Sequence, residues 1–241
     1  MPAVGELTAP AANYLLNPRP GPGLCRVCCN LTDGFVRCYA CGSVESQLAA
    51  VAPISYSFAG GQLHHALAGY KRTTGAASRR MSVELAAITW RFLAEHESCV
   101  ARAAGVDGFT VVTTVPSGER RRDEHHPLRR IVAELCGPTR ARYERLLLRS
   151  QAEVEDRAFS AEKYEPLRNL HGESVLLIDD TWTTGTNAQS AAAALRAAGG
   201  GEIGVVAIGR YLNREWHQNE RRLRAMPRPF DWETCALHDH E

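Results

Sequence analysis

Three groups of residues in this 241-residue chain have types and spacings that can do chemistry. Asp179 and Asp180 stand side by side, with Thr181, Thr183, Thr184, Gly185, Thr186 and Asn187 close behind. Paired carboxylates accept hydrogen bonds from hydroxyls. A turn of small residues that opens a helix aims backbone N–H groups and a positive helix end at one spot, which suits a phosphate. Two anionic acceptors beside an anion cradle fit a sugar phosphate with free hydroxyls. A second group, Pro116, Ser117 and Gly118 followed by Arg120, Arg121 and Arg122, joins a turn that exposes N–H groups to fixed positive charge. A solvated surface charge run is the plainer reading of those arginines. The third group is Cys25-x-x-Cys28 and Cys38-x-x-Cys41, whose four thiolates can surround one tetrahedral Zn²⁺. The short loop between the pairs implies a compact knuckle. Structural disulfides and a redox pair are the alternatives, and the absence of a secretory signal at Met1–Gly23 weakens the first.

These groups need elements to hold them. Val175-Leu176-Leu177-Ile178 is a short aliphatic run, as expected of a strand buried on both faces of a parallel sheet, and it places the acidic pair at the strand's carboxyl end. Ala188, Ala191, Ala192 and Leu195 then form a helical stripe that stops at Gly199-Gly200-Gly201. Phe109–Val115 is β-branched and ends at Pro116, a strand-then-turn signal that positions the arginine-rich loop. Further strands are predicted at Pro53–Phe58, Tyr143–Leu148 and Glu202–Leu212. Helices are predicted at Gln62–Lys71, Ser82–Ala104, Leu128–Leu135 and Arg214–Met226. His125 and His126 precede Pro127 and read as an extended, solvent-exposed turn. Residues 149–168, charged and poor in large aliphatics, suit a mobile cover or a solvated connection. Lys71 and Arg72 fit a helix end or a ligand contact equally. Cys99, Cys136 and Cys235 read as small buried hydrophobes. A metal site from Cys235, His238 and His240 is imaginable, but three candidate ligands near a terminus are more often incidental.

Composition bounds the answer. Hydrophobic content of 44% and charged content of 23% are those of a globular chain, and a formal net charge of +1 gives no global pull toward nucleic acid or anionic lipid. No apolar stretch is long enough to span a bilayer, so a cytoplasmic protein without membrane partners is expected. The domain reading is a Pro- and Gly-rich lead-in over 1–23, a four-cysteine zinc knuckle over 24–50, an α/β domain over 51–226 and a tail over 227–241.

The stretch Ser174–Asn187 resembles the phosphoribosyl-pyrophosphate (PRPP) motif of type I phosphoribosyltransferases: hydrophobic strand, acidic pair, Thr-Thr-Gly turn. With a cysteine knuckle ahead of it, the chain resembles the ComF-like group, which is labelled amidophosphoribosyltransferase and associated with competence for DNA uptake. The resemblance implies a mostly parallel five-stranded sheet with flanking helices. It implies ribose hydroxyls on Asp179 and Asp180, the 5′-phosphate on the turn through Asn187, and pyrophosphate on Pro116–Arg122. It also implies Mg²⁺ arriving with PRPP and a structural Zn²⁺ on the cysteines. Two departures stand out. Asn187 replaces the usual Thr or Ser, and Asp123-Glu124-His125-His126-Pro127 replaces an Arg-Gly-Phe-Asn sequence. The expected activity is transfer of the phosphoribosyl group to an acceptor that the sequence does not name. The alternative is a non-catalytic PRPP- or nucleotide-binding accessory protein, with single-stranded DNA or DNA-uptake proteins as partners. A homodimer is compatible with either.

Overall fold

A computed structural model describes residues 3–72, 75–155 and 157–238. Its centre is a four-stranded, all-parallel sheet in the order β1-β6-β5-β2, with β1 at Ala50–Ser57, β2 at Val111–Thr114, β5 at Val175–Trp182 and β6 at Ile203–Tyr211. Two short strands, β3 (Leu147–Arg149) and β4 (Tyr164–Pro166), pair antiparallel as a separate ribbon. The fifth strand expected at Tyr143–Leu148 does not join the sheet. Tyr143 makes a single parallel bridge to Val112, and the chain then leaves for β3. Arg142 explains the departure: its guanidinium grips Glu97 and the carbonyls of Phe109 and Pro138, which fixes the segment across the sheet edge.

The strands are apolar throughout because both faces are covered. Alternation sends Leu176, Ile178, Val206 and Ile208 to one core, and Val175, Leu177, Val205 and Ala207 to the other. Helices α1 (Gln62–Arg72) and α2 (Gly75–Ala103) cover the first face through Leu63, Leu67, Leu85, Ile88 and Phe92. Helix α3 (Thr186–Ala197) covers the second, and its run of alanines lets it lie close to the sheet. Pro53 sits in β1 without disrupting the ladder because β1 is an edge strand, where a missing donor can face outward.

Several elements differ in extent from the sequence reading. Helix α2 begins seven residues before Ser82, because Met81 and Ser78 pack and hydrogen-bond back onto α1. The helix expected over 128–135 starts at Pro127 and widens to i→i+5 turns at Ile131–Leu135. Of the helix expected over 214–226 only α4 (Asn219–Ala225) forms. The lead-in is packed. Leu15 and Leu16 are fully buried, Leu16 exchanges hydrogen bonds with Ser55 and Tyr56, and Asn17 and Arg19 hold Asp231 of the tail.

Gly199 closes the α3–β6 turn at φ +92°, with the Leu170 carbonyl oxygen 2.4 Å from where a Cβ would stand. Gly199→Ala is therefore expected to cost about 1–3 kcal/mol, through left-handed strain and that clash together. Gly108→Ala, at an open position with nothing within 4 Å, should stay within about 0.5 kcal/mol. Urea unfolding of the two variants reads the contrast.

Candidate functional site

Strand β5 carries the acidic pair near its carboxyl end, and the pleat sends the two carboxylates to opposite faces. Asp180 points toward α1, where Tyr70 Oη donates to Oδ2 and Lys71 Nζ forms an ion pair with the same oxygen. Asp179 points the other way, toward Tyr164, whose hydroxyl is pushed to higher pKa by burial first and by the Asp179 charge second. Both carboxylates are more than nine-tenths buried. Their ionisation splits accordingly. Burial, reinforced by the charge of Asp180, raises Asp179 to about 7. Asp180 is buried too, but Lys71, His126 and Tyr70 outweigh the desolvation and hold it below the usual carboxylate range. Two interacting carboxylates whose environments push their pKa values apart are a common feature of working sites.

After Trp182 the chain turns through Thr183 and Thr184 to Gly185, which has φ +84° and stands directly before α3. A Cβ here would lie 2.1 Å from the Trp182 ring, so glycine is required both by conformation and by the indole packed beneath the turn. Thr184 and Thr186 hydroxyls meet at 3.0 Å. The N–H groups of a first helical turn have no partners within the helix, so this end of α3 presents donors beside the carboxylates. Thr181, Thr183, Thr186 and Asn187 remain partly accessible around it.

The loop Pro116–Arg122 is braced from below. Asp123, buried, accepts from Ser117 N–H and from Arg149 N–H, and pairs with Arg129 and Arg145. Tyr164 Oη donates to the Pro116 carbonyl at 3.2 Å, and Arg149 Nε donates to that of Gly118 at 3.1 Å. Arg120, Arg121 and Arg122 form a single helical turn with exposed side chains. The segment Asp123–Pro127 thus spends its aspartate on holding the loop. The described part of residues 149–168, expected as a mobile cover or a solvated connection, is closed at its base by the β3–β4 ribbon and by Arg149 bonds to Ser150, Ala152 and Lys163.

His125 is exposed, as expected, but His126 is not. It is 8% accessible, its Nδ1 is buried without a hydrogen-bond partner, and it senses both Asp180 and Lys71. Burial lowers it to about 4, so it is a neutral imidazole at neutral pH. Sequence reasoning missed it because a following proline restricts the backbone of its neighbour without dictating which way the side chain goes. Lys71, left undecided by the sequence, belongs to the site through Asp180.

Cys25, Cys28, Cys38 and Cys41 converge, with sulfurs within 4.8 Å of one another, in a group that can hold a metal ion such as zinc. Tetrahedral Zn–S bonds of about 2.3 Å place thiolates roughly 3.8 Å apart, and Cys28 and Cys38 sulfurs lie at 3.7 Å. All eight cysteines are free thiols, so the disulfide alternative has no pair. Cys29 lies outside the group, buried with φ +55°. One buried side chain hydrogen-bonds to both the knuckle and the acidic-pair loop. Arg210, on β6 and only 2% accessible, donates from Nε to the Cys28 carbonyl at 3.0 Å, and from Nη1 to the Trp182 and Thr183 carbonyls, both at 3.1 Å.

Two stability outcomes follow. Asp179 has a raised folded pKa, so it holds its proton while the unfolded chain ionises, and it costs stability progressively from about pH 4 to pH 7. Asp179→Asn is expected to raise stability at pH 7.5 by roughly 1–4 kcal/mol and to be neutral at pH 3.5. Asp180 has the opposite sign. Its stabilisation is present above the unfolded pKa and fades as pH falls through the lower folded value, so Asp180→Asn should destabilise at pH 7.5. Separately, Arg210→Met should cost about 2–5 kcal/mol by leaving four carbonyls, those of Cys28, Trp182, Thr183 and Tyr211, short of a donor, with Arg210→Lys recovering only part of it. Melting curves at the two pH values, and at pH 7.5 for the arginine pair, test these.

Comparison of the chain with protein-family models and with curated proteins returned no match.

Proposed function

We propose that this chain is a ComF-like phosphoribosyltransferase that binds PRPP with Mg²⁺ and transfers the 5-phosphoribosyl group to an acceptor, releasing pyrophosphate. The observation that carries the reading is the continuity of β5 into α3. Two buried carboxylates with divergent pKa values run directly into a left-handed glycine turn and a threonine-lined helix start. In this reading the ribose hydroxyls donate to Asp179 and Asp180, and the 5′-phosphate sits on the N–H groups of Thr183–Asn187. The pyrophosphate lies toward Pro116–Gly118 and Arg120–Arg122. The C1–O bond to pyrophosphate breaks, the acceptor's lone pair forms the new C1 bond, and pyrophosphate leaves with the electron pair. Positive charge developing on the ribose ring is met by the carboxylates, so the chain contributes positioning and electrostatics rather than a nucleophile of its own. Lys71 and Tyr70 hold Asp180 in place for that task. Mg²⁺ accompanies PRPP as part of the substrate, because phosphate oxygens and hydroxyls are the hard donors it prefers.

The four-cysteine group is assigned to structural Zn²⁺. Four thiolates around a divalent ion carry two net negative charges, and the buried Arg210 guanidinium beside Cys28 supplies a counter-charge.

Mg²⁺–PRPP titration calorimetry tests the site. Asp179→Asn/Asp180→Asn should weaken binding at least about tenfold, since each charge-assisted hydrogen bond is worth roughly 1.5–3 kcal/mol. Asp179 carries a proton near neutrality that a ribose hydroxyl must displace, so binding to the unsubstituted chain should release a proton and tighten from pH 6 to pH 8. An unchanged affinity in the folded double variant overturns the assignment. Pyrophosphate release over an acceptor panel identifies the acceptor. Binding without turnover would instead favour the accessory protein, whose exposed Arg120, Arg121 and Arg122 would meet nucleic-acid phosphates.

A further inference from the structure

Away from the acidic pair, a second set of soft ligands gathers from distant parts of the sequence. His96 and Cys99 lie three residues apart on one face of α2. Cys235 and His238 lie three apart in the tail, where the His238 N–H donates to the Cys235 carbonyl and curls the chain. Among the described residues these four and the knuckle cysteines are the groups whose donor atoms converge, here again within 4.8 Å of one another. His96, Cys99 and Cys235 are buried and His238 is half-buried. His240, which the sequence offered as a third tail ligand, lies outside the described residues. The ligands the tail lacked come from α2 instead.

We propose that His96, Cys99, Cys235 and His238 form a second tetrahedral site, of two thiolates and two imidazoles, for a thiophilic divalent cation of the zinc type, which clasps the tail to α2. Three observations carry this. Zn–S and Zn–N bonds of about 2.3 and 2.05 Å in a tetrahedron put sulfur and nitrogen roughly 3.6 Å apart. Cys99 Sγ lies 3.3 Å from His238 Nε2 and 3.9 Å from His96 Nδ1. His96 donates Nε2–H to the Trp232 carbonyl at 2.8 Å, which leaves the Nδ1 lone pair facing Cys99. A backbone carbonyl holding the far nitrogen of a ligating imidazole is the usual way such a ring is oriented. Finally, charge balance suits the place. Two thiolates and two neutral imidazoles around a divalent ion sum to zero, and the guanidinium that reaches the cluster, Arg102 Nη2 at 3.8 Å from Cys99 Sγ, comes from an exposed side chain. A cleft of about 890 Å³, lined by Arg26, Phe35, Arg102, Cys99 and His238 among others, gives an ion access from solvent. The competing arrangements are a Cys99–Cys235 disulfide and simple packing, in which His238 Nδ1 accepts from the Cys235 N–H at 3.3 Å and its Nε2–H donates to Cys99. The metal site requires the other tautomer, with Nδ1 protonated and turned from that N–H.

The proposal stands on the chain itself and does not depend on PRPP. Full-length protein purified without a polyhistidine tag, under reducing conditions and with added Zn²⁺ then desalted, is expected to hold two zinc ions per chain by elemental analysis. Cys99→Ser and Cys235→Ser should each lower this to one, as should Cys38→Ser, and Cys38→Ser/Cys235→Ser should hold none. One ion in the unsubstituted protein, or two in Cys235→Ser, overturns the site. A variant that fails to fold leaves cobalt substitution of the unsubstituted protein to decide. Thiolate-to-cobalt charge-transfer absorption should correspond to six Co–S bonds, four from the knuckle and two from the clasp. Absorption for four bonds overturns it. So does native mass analysis that finds Cys99 joined to Cys235 with no second ion.

Discussion

The guanidinium of Arg210 is the interaction on which the arrangement of the site depends. It projects from β6 between the cysteine knuckle and the turn after β5 and hydrogen-bonds to both. A buried cation that meets only backbone carbonyls is costly unless opposite charge lies nearby, and none of its hydrogen-bond partners is a carboxylate. The cysteine sulfurs, with Cys28 held at its carbonyl by the same guanidinium, are the nearby groups that can carry opposite charge. Occupancy of the knuckle by a metal therefore bears on the loop that follows the acidic pair, although the two are more than a hundred residues apart in sequence. The knuckle is also part of the second core, with Cys25, Cys28, Cys38 and Leu48 packed among the α3 and β5 side chains. It is built into the fold rather than appended to it.

Much of this was legible in the sequence where physics acts locally. The Val175–Ile178 and Ile203–Ile208 runs are continuous because both of their faces are buried, and that requirement writes itself into consecutive residues. The left-handed glycine, the helix start after it and the two Cys-x-x-Cys pairs are likewise short-range patterns. What stayed hidden was decided at long range. Tyr143–Leu148 has strand-like residues, but Arg142 anchors its start to Glu97 on α2, and the sheet stops at four strands. His126 faces inward because Asp180 and Lys71 leave a buried polar corner beside it, which its own neighbours in sequence do not reveal. Cys99 and Cys235 read as isolated small hydrophobes. Each has a histidine three residues away on its own segment, and the tail by itself offers Cys235 only His238 and His240; what the sequence does not reveal is that the α2 pair and the tail pair meet.

The site's electrostatics also correct a symmetric view of the acidic pair. As adjacent carboxylates, Asp179 and Asp180 look interchangeable. The pleat separates them, giving Asp180 a cation and a phenol while Asp179 receives mainly desolvation. One is an ionised, positioned acceptor, and the other is a group that exchanges a proton near neutrality.

The ends of the chain pose a stability problem that the core alone does not solve. The lead-in and the tail are short in aliphatic residues, yet Leu15, Leu16, Phe230 and Trp232 are buried in the apolar clusters around α2 and β1. Asn17 and Arg19 reach Asp231, and Arg228 reaches the Asn13 carbonyl, so the two ends support each other more than either supports itself. Such an arrangement gains from any tie that fixes one end to a rigid element, because the ordering entropy of the other then falls. Helix α2 is the longest helix among the described residues, and His96 and Cys99 sit where the tail crosses it. A metal at that crossing would anchor the tail, through Asp231 the lead-in, and through Leu16 and Tyr56 the edge strand of the sheet. The knuckle does the same at the opposite end of the polar network, through Cys29 to Tyr56 and through Arg210 to β5. The two cysteine-containing clusters thus brace the same edge of the sheet from two sides, and Tyr56 is the residue at which their supports meet.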